Sequence, residues 1–202
     1  MSYRKEKKFR VTVSDFHKLK GHLHQQGMKN LFPPRQISSV YFDTADLSMF
    51  NDSEEGLLPR KKVRIRWYND DQLFTLENKT SSIEGRFKVT SKLENSISRD
   101  EIFTRNRLDA QYGQIQPTLK VSYKRSYFVF KQMRITFDKD ICYQNLKYAD
   151  KRKYHDPECV VEIKIPSNCP DDFVERHIPY PTARFSKYSR GILISQRDLI
   201  EV

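Results

Sequence analysis

The sequence predicts a mainly β (α+β) fold with antiparallel strands and flanking helices, and three observations predict it. Eight segments rich in β-branched and aromatic residues lie near 3–11, 36–43, 60–68, 72–80, 84–93, 117–130, 133–141 and 158–165. Most of them alternate charged with apolar residues, the period of a strand whose two faces differ. Phe (13) and Tyr (11) are plentiful although the hydrophobic fraction is only 37%, so aromatic rings can fill a core that aliphatics alone would leave thin.

Taken in order, the first strand places Arg4, Glu6 and Lys8 on one face. Ser14 can cap a helix with Phe16, Leu19, Leu23 and Met28 on one side, closing near Gly27. A second short helix follows Asp46. The stretch VRIRWY at 63–68 sets Val63, Ile65 and Trp67 against Arg64 and Arg66, which Lys62 joins on their face. Asn69, Asp70 and Asp71 make a hairpin turn. Beyond it Glu77 and Lys79 share a face, and so do Arg86 and Lys88. Tyr123, Arg125 and Tyr127 form a row, as do Arg134, Thr136 and Asp138 after a turn at Gln132, and then Glu162 and Lys164. The opposite faces carry Phe87 and Val89; Ile135 and Phe137; Val161, Ile163 and Ile165. Segments 170–178 and 187–200 look helical, the latter with Ile192, Leu193, Leu199 and Ile200. With no Pro/Gly/Ser-rich linker or repeat, residues 1–202 are expected to form one domain.

A net charge of +11 and a pI of about 9.5 suit a polyanionic partner: nucleic acid, an anionic membrane or condensed phosphate. Cys142, Cys159 and Cys169 lack CxxC spacing, and the N-terminus lacks the apolar run of a secretory signal, so a cytoplasmic protein is expected. No apolar stretch approaches the roughly 20 residues that span a bilayer, so membrane attachment would come through a partner protein. The five histidines show no zinc-ligand pattern. Tyr and Phe interleave with bases in YKRSYFVFK, as in a base-stacking surface, but the neighbouring acids would repel a nucleic-acid backbone and disfavour that partner.

Two readings of the charged faces remain open here. A sheet with one solvated side gives the same alternation. A barrel closed with the charged face inward gives it too, and would need helices over its apolar exterior. An inward cationic face carries a cost, because like charges repel and desolvated ammonium groups resist ionisation. Phosphate oxygens would relieve that cost through charge-assisted hydrogen bonds, and a carboxylate among them could hold a divalent cation.

The motifs YRKEKKF (3–9), SVYFDT (39–44), KVRIRWY (62–68), LENKT (76–80), VSYKRSYF (121–128), RITFDKDI (134–141), VVEIKI (160–165) and RFSKYSRG (184–191) occur in that order. They resemble the VTC domain, the polyphosphate-polymerase branch of the triphosphate tunnel metalloenzymes, over nearly the whole chain. The resemblance implies a closed antiparallel eight-stranded tunnel that binds ATP, tripolyphosphate or polyphosphate with Mn2+ or Mg2+. It implies phosphate-binding roles for Lys8, Arg64, Arg66, Lys79, Arg125, Arg134, Lys164 and Lys187, with Arg184 and Ser186 beside the last, and Arg86 and Lys88 join them by strand face. Tyr123 falls on a tunnel tyrosine. Glu162 falls on the metal-binding glutamate, with Glu6 and Glu77 as helpers and Asp138 behind them. Arg64, Arg66, Arg125, Lys164 and Glu162 are the expected catalytic set. The activity implied is transfer of the ATP terminal phosphate to polyphosphate; triphosphate hydrolysis and non-catalytic polyphosphate binding are the alternatives. Two departures stand out. Arg4 occupies the place of the first acid of the wider superfamily's ExExK pattern, which leaves the metal site resting on Glu162, and Arg184 replaces a common Lys. A stand-alone domain of the prokaryotic kind is expected, without the SPX domain and membrane helices of eukaryotic polymerases.

Overall fold

Alternation along each strand sorts side chains into an apolar layer and a charged layer. The computed structural model describes residues 4–93, 96–147, 152–170 and 172–197. Its strands are β1 (Arg4–Val11), β2 (Lys29–Asp43), β3 (Arg60–Tyr68), β4 (Thr75–Ser82), β5 (Gly85–Lys92), β6 (Arg107–Asp109), β7 (Gly113–Phe130), β8 (Met133–Asn145), β9 (Lys153–His155) and β10 (Cys159–Pro166). The helices are α1 (Val13–Gln25), α2 (Ser48–Glu55), α3 (Arg99–Thr104) and α4 (Lys187–Arg197). Hydrogen-bonded strands follow the order β1-β10-β8-β7-β2-β3-β4-β5, with β6 paired to β7 and β9 to β8.

The mainly β, antiparallel architecture with flanking helices is as expected; closure is not. The strand path ends at β1 and at β5, which are not paired with each other among the described residues. One reason lies on β1 itself, where the Ala183 N–H donates to the Lys8 carbonyl at 2.8 Å. A backbone acceptor already engaged by the segment before α4 cannot serve a closing ladder.

Two compact units emerge, each interleaved in sequence. The first comprises Met1–Gln36, Tyr123–Ile141 and His155–Phe185; the second comprises Ile37–Ser122, Cys142–Tyr154 and Ser186–Val202. In the first, α1 lays Phe16, Leu19 and Leu23 on a core with Phe9, Phe137 and Ile163, all buried. Thr12, rather than Ser14, caps that helix, accepting from the Asp15 N–H at 3.1 Å. In the second unit Val40, Phe42, Val63, Ile65 and Trp67 meet Met49 of α2 and Ile102 of α3. A capping box, Ser98 with Glu101, starts α3. In each unit the apolar rows take the helix-covered side and the charged rows the other, except on β5, where Phe87 and Val89 are exposed.

Other differences from expectation have local causes. β2 begins at Lys29 rather than near 36 and carries Pro33 and Pro34, which have no N–H to give to a ladder. Of the 170–178 segment expected to be helical, residues 172–177 form turns: their N–H groups divide between i−3 acceptors (His177 to Val174) and i−4 acceptors (Arg176 to Asp172). The short α3, β6 and β9 have too few residues to show a period. β4 resumes at Thr75, later than 72. Tyr3, Leu199 and Ile200 lie outside the described residues. Cys142, Cys159 and Cys169 are free thiols, and no helix among the described residues is long and apolar enough to cross a membrane.

Gly191 lets α4 seat against the second unit's strands, since a Cβ there would lie 2.6 Å from Leu119 Cδ2 and 2.6 Å from Tyr143 Cδ1. Gly191→Ala is expected to destabilise by about 1–3 kcal/mol through overpacking, read as a lowered midpoint in denaturant unfolding with an unchanged slope.

Candidate functional site

The second unit builds its charged face on β3. Lys62, Arg64 and Arg66 point away from Val63 and Ile65; Arg64 registers with Tyr41 and with Glu77, and Lys62 with Lys79. Lys79 in turn registers with Lys88 of β5. Glu77 is only 3% exposed and is held by three cations. Arg64 donates to one of its oxygens from Nε at 2.6 Å and from Nη2 at 2.5 Å, and Arg66 Nη1 stands 3.9 Å from that oxygen. Lys88 Nζ reaches the other oxygen at 2.7 Å. Burial opposes ionisation of Glu77, but Arg64, Arg66 and Lys88 overcome it and hold the carboxyl at about 2.

Two neighbours of this cluster titrate near neutrality. Arg64 Nη1 donates to the Tyr41 hydroxyl at 2.8 Å, and its guanidinium lies 5.6 Å from that ring. Burial would raise the Tyr41 phenol; the charges of Arg64, Arg66 and Lys79 bring it down to about 7. Lys79 is lowered to about 8 by crowding of its ammonium and by Arg64 and Arg66.

The face is braced from beneath. The Tyr41 ring stacks on Tyr188 of α4 with centroids 5.0 Å apart and planes at 19°. The Tyr188 hydroxyl donates to Asp43 at 2.5 Å, and Asp43 also accepts from the N–H groups of Thr44, Met49 and Phe50. Asp43 thereby does for α2 what Leu47 at its N-cap has no side chain to do. Lys62 Nζ donates to Ser186 Oγ at 2.9 Å, and Ser186 Oγ accepts from the Ser189 N–H at 3.3 Å in the manner of a helix cap.

The first unit repeats the pattern with other residues. Across the ladders Lys8 stands opposite Glu162 and Glu6 opposite Lys164, while Glu162 faces Thr136 and Lys164 faces Arg134. Lys164 Nζ lies 3.1 Å from Glu162 and 3.5 Å from Glu6; Lys8 Nζ lies 3.2 Å from Glu6 and donates to the Phe185 carbonyl at 3.2 Å. Arg125 forms a two-pronged pair with the fully buried Asp138, at 2.6 and 2.7 Å, and comes within 4.0 Å of Glu162. Its guanidinium lies 5.3 Å from the ring of buried Tyr123. Burial would lower Arg125, but Asp138 and Glu162 raise it well above its ordinary value. Glu162, opposed by burial yet flanked by Arg125, Lys164 and Lys8, is held at about 2.

Of the expected residues, Lys8, Glu6, Arg125, Tyr123, Glu162 and Lys164 are thus brought together in the first unit. Arg64, Arg66, Glu77, Lys79 and Lys88 come together in the second. Arg134 is exposed opposite Lys164, and Arg86 is exposed on the face of Lys88. Arg184 precedes Phe185, and Lys187 opens α4. Tyr41 and Ser39, which accepts from Arg66 Nε at 3.3 Å, escape sequence reasoning. Their signal is their alternation with Val40 and Phe42 inside SVYFDT.

Residues 3–196 match the profile of the VTC domain. The chain belongs to the VTC domain family. Solved structures show the fold independently of sequence. A candidate adenylate cyclase from Bacillus halodurans is 14% identical, with 98% of this chain and 90% of that one covered at a TM-score of 0.55. A conserved hypothetical protein from Pyrococcus furiosus is 14% identical, with 92% and 99% covered at 0.57. HpAC1 from Hippeastrum, a candidate adenylyl cyclase described as having a dominant triphosphatase activity, is 15% identical, with 95% and 96% covered at 0.55. Comparison with curated proteins finds no significant match.

In this VTC domain no three acidic, histidine or cysteine side chains converge on one point among the described residues. The donors that do approach one another are Glu162 and Glu6, joined through Lys164. Two carboxylates suit a hard divalent cation that takes its remaining oxygens from water and phosphate, so the residues fit a Mg2+- or Mn2+-type ion. Glu77 has both oxygens committed to cations, and Asp138 is spent on Arg125.

Glu77→Gln is expected to cost about 3 kcal/mol, because Arg64 and Arg66 lose their buried counter-charge, and tripolyphosphate should restore part of that loss in thermal melts. Depressed carboxyl groups favour the fold fully above their unfolded value near 4.5, and that favour is lost as pH falls toward 2. Lys79 has the same sign in a higher pH window. Its folded value near 8 lies below the unfolded 10.5, so stability rises with pH between them, and Lys79→Met should flatten that rise in pH-dependent unfolding.

Proposed function

We propose that this VTC domain performs metal-dependent phosphoryl transfer, passing the terminal phosphate of ATP to a growing polyphosphate chain. One observation carries the reading: cations outnumber carboxylates on both strand faces, and the key guanidiniums are oriented before any ligand arrives. Arg64 is fixed by Glu77 and Tyr41, and Arg125 by Asp138. Donors held in place need no reorganisation when charge shifts onto phosphoryl oxygens, which is where such a reaction needs help.

Little covalent chemistry is asked of the chain. Arg125, Lys164 and Lys8 in one unit, and Arg64, Arg66, Lys79 and Lys88 in the other, would each take phosphate oxygens by charge-assisted hydrogen bonds. Tyr123 supports Arg125 from its ring face. Glu162, with Glu6, would hold the divalent cation, which when bound supplies charge neutralisation at phosphate oxygens. Arg86, Arg134, Arg184, Ser186 and Lys187 would bind phosphates flanking these groups. The free thiols lead us to place the protein in the reduced cytoplasm.

Hydrolysis is the second reading, favoured by the triphosphatase activity described for HpAC1, which shares this fold. The donor-binding groups would be unchanged and water would be the acceptor. Incubation with terminally labelled ATP and Mn2+ separates the outcomes: long labelled chains support transfer, orthophosphate alone supports hydrolysis, and no product with a large tripolyphosphate thermal shift leaves a binding module. Glu162→Gln should lower turnover by about 10- to 100-fold while metal-free tripolyphosphate binding, followed by calorimetry, stays within a few-fold.

A further inference from the structure

Strand β5 carries an apolar row that leaves the core of the second unit behind. Phe87, Val89, Ser91 and Leu93 alternate along one side of the chain, the side on which Leu93 and Leu76 of β4 still pack partly against that core. Further toward the hairpin tip nothing covers the row: Phe87 keeps 50% and Val89 66% of its surface exposed, and Ile83 in the turn is exposed as well. Arg86, Lys88, Thr90 and Lys92 take the other side, and every residue from Arg86 to Lys92 is exposed. One flank of β5 pairs with β4. Among the described residues its other flank pairs with no strand.

An open flank presents backbone N–H and C=O groups as a template for one more strand, and edges are ordinarily shielded by charge, proline or a bulge. β5 has charge on one side only. Its side chains decide which strand fits. Between Gly85 and Lys92 it holds Arg86, Lys88 and Lys92 and no acid; Lys88 reaches Glu77 at 2.7 Å while its side chain stays 47% exposed. A second copy of β5 is a poor match. A two-fold axis would pair the strands antiparallel. With like sides kept together, the central registers set Arg86 opposite Lys88, Lys88 opposite itself, Arg86 opposite Lys92 or Lys88 opposite Lys92, and like charges directly opposite destabilise a ladder. Acids in those places reverse the sign, and apolar residues between them cover Phe87 and Val89.

From this placement we propose that β5 is a docking edge for an extended segment of another protein in which acidic and apolar side chains alternate, added to the sheet by strand pairing. Backbone hydrogen bonds give such a segment its hold, carboxylates facing Arg86, Lys88 and Lys92 fix its register, and its apolar side chains bury Phe87 and Val89. The inference stands apart from the phosphate-binding reading, because the apolar row and the open backbone have no part in that reading. Arg86 and Lys88 are the groups both would use.

The probe is a fluorescein-labelled octapeptide alternating glutamate with valine, titrated with the whole chain and followed by anisotropy. Its control is the same peptide N-methylated throughout, which keeps the charge and the side chains but cannot donate to a ladder. The unmodified peptide is expected to bind at least about tenfold more tightly than the control. Replacing the exposed apolar pair (Phe87→Ser with Val89→Ser) should weaken it about fivefold, and Lys92→Glu by a similar factor, with far-UV circular dichroism of both variants unchanged. Equal binding of the two peptides would overturn strand addition and leave charge attraction alone. No binding by the wild type, or binding that neither variant alters, would overturn docking at β5. A concentration-dependent dimer of the whole chain in sedimentation, abolished by the paired serine variant, would give the edge to a second copy and overturn the partner class.

Discussion

Like charges crowd both strand faces, and the fold depends on the carboxylates buried among them. In the second unit Glu77 sits where Arg64, Arg66 and Lys88 converge, nearly out of water. Removing two guanidiniums from solvent would be prohibitive without such a partner. The arrangement has a chemical result as well as a structural one. Glu77 neutralises only part of the cluster, and Tyr41 and Lys79 stay poised near neutral pH, so under the proposed function a polyanion would meet groups whose protonation it can shift.

Support for that cluster runs through the hydrophobic architecture rather than beside it. Asp43, at the end of β2, binds the first N–H groups of α2 and the hydroxyl of Tyr188, whose ring stacks on Tyr41. Burial raises the Asp43 carboxyl while its hydrogen bonds pull the other way, and burial and the adjacent carboxylate raise the Tyr188 phenol well above its ordinary value. The position of Arg64 is thus tied to the seating of α4, and close packing at Gly191 is part of what orients a guanidinium. Core and site are coupled by contact.

The faces of the strands were legible because a period of two is visible in a row such as Val63-Arg64-Ile65-Arg66-Trp67, and the apolar members indeed lie on the helix-covered side. Partners were less legible. That Glu77 serves Arg64 and Asp138 serves Arg125 depends on strand register, which turns and bulges set and composition does not show. Asp140, with a φ of 53°, illustrates the point, since a residue of that conformation interrupts alternation within β8. Segment 170–178 misleads for a different reason: its apolar spacing is that of a helix, while Val174 and Ile178 are buried through turns.

The carboxylates of the two units are not equivalent, and the difference assigns their work. Glu77 accepts short hydrogen bonds from Arg64 and Lys88 and is shut away from water; a divalent ion would have to displace a guanidinium that has nowhere wetter to go. Glu162 and Glu6 keep more solvent contact, and the cation between them is Lys164, whose side chain is 42% exposed. A lysine is a flexible point charge that can swing into water at small cost, unlike a planar fork locked by two bonds. Exchange of that ammonium for a hard divalent ion would match the two carboxylates with two positive charges in place of one and would free Lys164 to follow a phosphate oxygen. Counter-ion duty therefore falls to Glu77 and Asp138, and under the proposed function it is Glu162 with Glu6 that would hold the metal.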